Sequence, residues 1–298
     1  MLAVLIVAIA LGAIALALAS PGGNAKGGAK RLGASGGAGH GDGKHAGTSA
    51  SGPGAGAHVS ADTEALESPE IRHLISLGKP IYCAAPRGNE VALTFDDGPG
   101  TYTRLAIAKL RKHQIKATFF IVGRNIGLLP AALREERALG SVGDHTFTHP
   151  LLTSLAPSEA QEQIVHTKHA VEAASGGPVF LFRPPYGAHN ATIDSIARGN
   201  GLLEILWTVD SQDSLGANYA QIERTVIAGM KPGAIILMHE NHGQTIRAML
   251  NIFAALKSKH LRPVSVARLL SDDPPSDAQV RKGGLGCGAG ASAGSGGG

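Results

Sequence analysis

Val91-Ala-Leu-Thr-Phe-Asp-Asp-Gly-Pro99 is an apolar, strand-forming run that ends in two adjacent carboxylates, Asp96 and Asp97. A pair of histidines follows at His145 and His149. Two neighbouring carboxylates repel when both ionise, so placing them beside a buried strand calls for a compensating charge. One carboxylate and two imidazoles make a three-ligand set for a metal ion with coordination positions left open, the pattern of a catalytic rather than a closed structural site. From these residues alone, a surface Asp-Asp turn with two loop histidines fits equally well. The surrounding chain has to decide.

Outward from this stretch the chain alternates strand-like and helix-like segments. Strands are expected at Val91–Phe95, Ala117–Val122, Ser141–Gly143, Val179–Phe182, Leu203–Val209 and Ala234–Met238, with a seventh near Arg262–Val266. Helices are expected near 102–113, 128–139, 158–174, 191–199, 218–229 and 244–258. Ser158 with Gln161 three residues on, Asn190 and Asn218 mark helix starts. Repeated strand–helix units with strands buried on both faces predict a parallel sheet. Six or seven such units in about 180 residues favour a compact barrel over a long doubly wound sheet. No glycine fingerprint follows the first strand, so a dinucleotide site is disfavoured.

The flanks read differently. Met1 to Ala19 carries no charged side chain and as a helix would span about 28 Å, enough for a bilayer. It ends in Ala17-Leu18-Ala19, a small-x-small pattern suited to cleavage, but no Lys or Arg precedes it. Export is expected, through a cleaved signal peptide or a retained membrane anchor. Residues 20–69 read as a Gly/Ala/Ser-rich linker and 276–298 as a Gly-rich tail, both expected to be disordered because they cannot bury enough apolar surface to offset ordering entropy. That leaves one domain over 70–275, with its motifs between 88 and 270. Lys26, Lys30, Arg31 and Lys44 against Asp42 put +3 of the chain's +4 into the linker. The domain is thus nearly neutral and lacks the basic stripes of nucleic-acid binders. A basic linker beside an export segment suits an anionic membrane or cell wall, and equally a merely soluble spacer. The two cysteines, Cys83 and Cys287, form no Cys-x-x-Cys pair, so thiolate zinc and dithiol redox sites are disfavoured. Export would permit a disulfide between them, against which stands the expected disorder around Cys287.

Placed on the strand map, the polar residues converge. Asp96-Asp97 end the first strand, and His145 and His149 follow the third. Arg183-Pro-Pro-Tyr-Gly187 ends the fourth, Asp210-Ser-Gln-Asp213 the fifth and His239-Glu240 the sixth. Strand C-termini are where barrel enzymes place their chemistry. Thr94-Phe-Asp-Asp-Gly-Pro99, His145-Thr-Phe-Thr-His149, Arg183-Pro-Pro-Tyr186, Asp210 through Asp213 and Leu237-Met-His239 together resemble the five ordered motifs of the polysaccharide deacetylases, the proteins with a NodB homology domain that form carbohydrate esterase family 4. The resemblance spans roughly residues 88–270.

That resemblance implies a distorted (β/α) barrel, a divalent metal that is most often zinc, and hydrolysis of N-acetyl groups on a glycan such as peptidoglycan or a chitin-like polymer. It assigns Asp97, His145 and His149 to the metal and makes Asp96 the general base. The residues alone do not distinguish Asp96 from Asp97. It implies that the Tyr186 backbone N–H, in a turn with Pro185, shares the oxyanion charge, and that His239 is the general acid. Arg183 would hold Asp96 ionised and Asp213 would keep His239 protonated, since an opposite charge favours the charged form. A monomeric, exported protein acting on a glycan is expected, with no nucleic-acid partner. An O-deacetylase acting on acetylated xylan and a non-catalytic glycan-binding envelope protein are the alternatives.

Three positions depart from the family pattern. Asp144 precedes the first histidine where Asn is common, Glu240 follows His239 where Asp is usual, and Ser214 stands where a groove-lining Trp usually follows the Asp. Trp207, the only tryptophan, is expected in the core. His166 and His169 read as a solvated helix face, and His40, His45 and His58 fall in the linker. His239-Glu-Asn-His242 is one residue short of a zinc-peptidase motif.

Overall fold

The computed structural model describes residues 61–287. The expected export segment, most of the expected linker and the last part of the expected tail lie outside the described residues.

In chain order the strands are β1 (Glu90–Gly98), β2 (Ala117–Ile121), β3 (Gly140–Asp144), β4 (Leu181–Phe182), β5 (Leu203–Glu204), β6 (Val209–Asp210), β7 (Ile235–His239) and β8 (Arg262–Val264). They pair in the order β5-β4-β3-β2-β1-β7-β6, and β8 joins the first residues of β1. Every strand pairing is parallel. The physical cause lies in side-chain alternation with both faces buried. Val91, Leu93 and Phe95 face one apolar cluster and Ala92 faces another, as do Phe119 against Phe120 and Ile236 against Leu237.

The connecting helices α3 (Thr103–Lys112), α4 (Ala132–Leu139), α5 (Pro157–Ser175), α6 (Ala191–Gly199), α7 (Tyr219–Gly229) and α8 (Gly243–Ser258) match the expected positions. The helices before them, α1 (Ala61–Leu66) and α2 (Pro69–Leu77), and α9 (Val266–Asp272) after them supply Leu66, Ile71, Leu74, Leu269 and Leu270 to the second apolar cluster. The arrangement is a distorted (β/α) barrel.

Three expectations need correction. The single strand expected over 203–209 is two short ones, separated by Ile205–Thr208. These two strands are the opposite ends of the sheet, so this one run closes it. Ile81 fills the gap: its N–H donates to the Glu204 carbonyl, and its carbonyl accepts from the Leu206 N–H, both at 2.8 Å. The fifth helix begins at Pro157 rather than under a Ser158 cap. Proline at the first helical position needs no N–H partner, and the Glu159 carboxylate accepts from the Ala156 N–H at 3.0 Å. Finally, 61–69 and 276–287 are not wholly linker and tail. Residues 61–66 are α1, and α10 (Asp277–Arg281) leads to Cys287, which is disulfide-bonded to Cys83 with a Cα–Cα distance of 5.9 Å. Gln279 Nε2 donates to the Ala84 carbonyl at 3.1 Å, so the glycine-rich stretch is tied down at two points.

Candidate active site

In a regular strand, consecutive side chains point to opposite faces, so Asp96 and Asp97 should diverge. A bulge prevents this. Asp96 pairs with Phe120 and Gly98 with Ile121, leaving Asp97 outside the register at φ 70°. Both carboxylates thereby reach the same site. The histidines are gathered by the loop after β3. The Asp144 carboxylate accepts from the Thr146 N–H at 2.7 Å, and the His149 N–H donates to Thr146 Oγ1 at 3.2 Å. Thr146 and His149 both adopt positive φ, as do Tyr186 and Gln212 on neighbouring loops. Left-handed backbone at non-glycine residues is costly and concentrates where geometry is functional.

Asp97 Oδ1 lies 3.6 Å from His145 Nε2 and 3.4 Å from His149 Nε2. Ligands about 2.1 Å from a tetrahedral ion stand roughly 3.4 Å apart, so these spacings fit one divalent cation. The tautomers fit as well. His145 Nδ1–H donates to the Arg183 carbonyl at 2.7 Å, which leaves Nε2 with a free lone pair. Burial, then the neighbouring His145, lowers the His149 pKa and favours its neutral, ligating form. Asn241 Nδ2 donates to Asp97 Oδ2 at 3.4 Å from behind.

Asp96 stands beside this set, 3.6 Å from His145 Nε2, and opposite His239 in the β1–β7 register. The wholly buried Arg183 gives Nη1–H bonds to Asp96 Oδ1 at 2.7 Å and to Thr94 Oγ1 at 2.8 Å, and its Nε–H bonds to the Ile205 carbonyl at 3.0 Å. Its guanidinium lies 4.1 Å from the Phe120 ring centroid. A buried guanidinium with a hydrogen-bonded carboxylate partner holds that partner in one place.

His239 Nδ1–H donates to Asp213 Oδ1 at 2.7 Å, while Asp213 Oδ2 accepts from the His239 N–H and from Thr245 Oγ1. Burial opposes charge on the imidazole, but the Asp213 hydrogen bond and charge, with Asp96 and Asp97 beyond, lift it to about 9. Burial also acts on Asp213, yet its bond to His239 dominates, with Thr245 adding to it, and holds it down to about 2. His239 and Asp96 are thus neighbours in the β1–β7 register, each held by its own partner, Asp213 and Arg183.

Tyr186 sits at φ 63° in the turn after β4, with Pro185 buried beneath it. The N–H groups of Gly187 and Ala188 donate to the Pro184 and Pro185 carbonyls, whereas the Tyr186 N–H donates to no acceptor among the described residues. Its ring is 63% exposed and packs edge-on against His149 at 4.9 Å. Ser214 is exposed next to Asp213, with its N–H on Asp213 Oδ1 at 2.9 Å, and Leu215 beside it is 79% exposed. The site is therefore open to solvent on the side of Tyr186, Ser214 and Leu215.

Two of the three departing residues, Asp144 and Glu240, are buried, whereas Ser214 is exposed. Asp144 is fully buried, and burial pushes its carboxyl well above the usual range, so a protonated Asp144 can present a donor and an acceptor as Asn does. Glu240 is buried against Glu136, Thr103 and Gly98, and burial raises it to about 8. Trp207 is buried near Arg183, as expected of a core residue. His166 is exposed and stacks on Phe147 at 4.0 Å. Sequence reading missed Thr94, Thr245 and Leu215. Thr94 had a signal, because it lies two residues before Asp96 on the same strand face; Thr245 had none, since its partner is 32 residues away.

Residues 84–205 match the family model described as polysaccharide deacetylase. The peptidoglycan-N-acetylglucosamine deacetylase PgdA of Listeria monocytogenes is 35% identical over 190 residues, covering 63% of this chain and 40% of that one. The chain thus spans about two fifths of that relative's length. A chitooligosaccharide deacetylase of Bradyrhizobium is 31% identical over 188 residues, covering 57% of this chain and 85% of that one. Among solved structures, a family 4 carbohydrate esterase from Streptomyces lividans in complex with acetate is 37% identical with a TM-score of 0.57, over 60% of this chain and 93% of that one. On motif order, fold and these likenesses, the chain belongs to the polysaccharide deacetylase family.

Proposed function

We propose that the chain removes N-acetyl groups from an N-acetylglucosamine-containing glycan, peptidoglycan before chitin-like polymers, and releases acetate. The observation that carries this reading is that Asp96, paired in register with His239, lies 3.6 Å from His145 Nε2 beside the cluster of Asp97, His145 and His149. Asp97, His145 and His149 would hold a divalent cation, zinc by its donor set. When bound, that cation supplies Lewis acidity that activates water and polarises the acetamide carbonyl.

The protein's own groups do the rest. Asp96, held by Arg183 and Thr94, accepts a proton from the attacking water. The Tyr186 N–H donates to the carbonyl oxygen as negative charge collects there, a contribution of about a hundredfold or more in rate. His239 gives its proton to the sugar nitrogen as the C–N bond breaks, because an amine anion cannot leave. Acetate and the free amine are the products. The exposed Tyr186 and Leu215 suit a polymer lying along an open groove. The uncharged first 19 residues and the basic stretch after them support action at the cell envelope, as do the words peptidoglycan deacetylase in the Listeria relative's name.

Acetate release from peptidoglycan, N-acetylglucosamine oligomers and acetylated xylan tests the reading. Release from the first two, abolished by chelation, restored by Zn²⁺ and lost with bound zinc in His145→Ala, is expected. Release confined to xylan would replace N- with O-deacetylation. Full activity of His145→Ala would remove the assigned ligand set.

A further inference from the structure

We propose that His189, Asp194 and Glu204 form a second divalent-cation site, separate from that of Asp97, His145 and His149, which ties the Tyr186 turn to α6 and β5. The three come from adjoining pieces of chain: the residue before the Asn190 cap, the first turn of α6, and the end of β5. One ligand atom from each lies within 4.8 Å of the others. His189 Nδ1 is 2.9 Å from Asp194 Oδ1 and 3.8 Å from Glu204 Oε1, bracketing the roughly 3.4 Å spacing of donors around a tetrahedral ion.

The second observation is Glu204 itself. It is 3% exposed, and no donor hydrogen-bonds either carboxylate oxygen; its nearest polar neighbours are His189, at 3.8 Å, and the Asp194 carboxylate. A buried carboxylate without partners is expensive, and here it faces another carboxylate. Beside Glu204 and Asp194 lies a small cavity lined also by Lys79, Arg198 and apolar side chains. His189 turns its other ring nitrogen, Nε2, toward Tyr82 Oη at 3.5 Å, which leaves Nδ1 for the carboxylates.

Every charged group facing the cluster is identified. Lys79 acts on Glu204 and His189 through space, and Arg198 lines the same cavity, but neither supplies the missing hydrogen bonds to Glu204. One imidazole with two carboxylates suits Zn²⁺ or Mn²⁺ better than the all-oxygen preference of Ca²⁺ or Mg²⁺. His189 follows Tyr186 by three residues, so an ion here would brace the turn from behind, outside the reacting atoms.

Metal content after stripping and reloading with Zn²⁺ or Mn²⁺ tests the site without an activity readout. Two equivalents per chain are expected in the wild type, and one each in Glu204→Gln, His189→Ala and His145→Ala. Added Zn²⁺ should still raise the Tm of His145→Ala but not that of His145→Ala/Glu204→Gln. Saturation of the wild type at one equivalent with both metals would overturn the proposal and leave a cluster that shares a proton. A second equivalent that survives in both Glu204→Gln and His189→Ala would overturn it equally, because that ion would sit elsewhere. Loss of the catalytic metal alone leaves this test intact.

Discussion

If His239 donates the proton as proposed, its surroundings set the working pH. With Asp213 holding it up to about 9, it keeps its proton through neutrality, and the alkaline limb of kcat/KM is expected near pH 9. Asp213→Asn removes the main raising partner, leaving burial opposed only by Asp96 and Asp97. The limb should then move to lower pH, with activity at pH 8 falling about tenfold for each unit it passes below 8. An unmoved limb would mean another group donates the proton. The pair also contributes to stability in a defined window. The raised His239 contributes fully below its ordinary 6.5 and loses its contribution as pH rises through about 9. The lowered Asp213 contributes above its ordinary 3.8 and loses its contribution as pH falls through about 2. Ser214 is the other informative residue. It is exposed at the groove and offers no stacking surface, so Ser214→Trp should lower KM for oligomers with little change in kcat, the mark of binding gained equally by ground and transition states. Unchanged constants would place position 214 off the glycan's path. The aromatic residue between the two histidines, Phe147, stacks on His166.

At the scale of elements, local chemistry and tertiary demand can be separated. Asn218 caps α7 reciprocally: its side chain accepts from the Gln221 N–H, and Gln221 Oε1 accepts from the Asn218 N–H. Asn218→Ala should cost about 1 kcal/mol in urea unfolding. No loss would show that the first turn is held by packing, for instance through Gln244, which accepts from the Tyr219 N–H. Such caps were legible because Asn190 and Asn218 act within three residues. Likewise the strands showed as apolar runs, and their C-terminal ends showed as a procession of Asp, His and Arg. The bulge at Asp97 was not legible, since nothing in Phe95-Asp-Asp-Gly announces a register shift. The break in 203–209 was equally hidden, because Leu203-Glu-Ile-Leu-Trp-Thr-Val209 carries no turn residue to mark it and is divided by which neighbour each half must reach. Ser158 misled because the neighbouring Pro157 offered a better first position.

For the whole molecule, the Cys83–Cys287 bond joins the two ends of the described chain across 204 residues. Closing so long a loop restricts the unfolded chain and typically stabilises by about 2–4 kcal/mol. Cys287→Ser should therefore lower the Tm by about 5–15 °C and free α10, seen as new protease cutting after Asp273. An unchanged Tm would show that Gln279 and its neighbours hold the segment without the bond. This tie was not legible, because the glycine-rich surroundings of Cys287 outweighed a pairing partner two hundred residues away. The helices α1 and α2 were missed for a related reason: they are short, and their apolar residues gain meaning only against α9.

The closure of the sheet by one run, with Ile81 as its stitch, bears on how copies of this protein meet. An unpaired strand at the end of a sheet is a template onto which another chain can add its own backbone. Here both end strands belong to residues 203–210, and the backbone groups between them are engaged by Ile81 and Ile235. Neighbouring molecules are offered helices and loops at this seam instead of a ladder, which guards against strand-to-strand aggregation. Ile81→Pro would remove the N–H of that stitch and reopen the seam, so self-association rather than lost metal should be its first symptom.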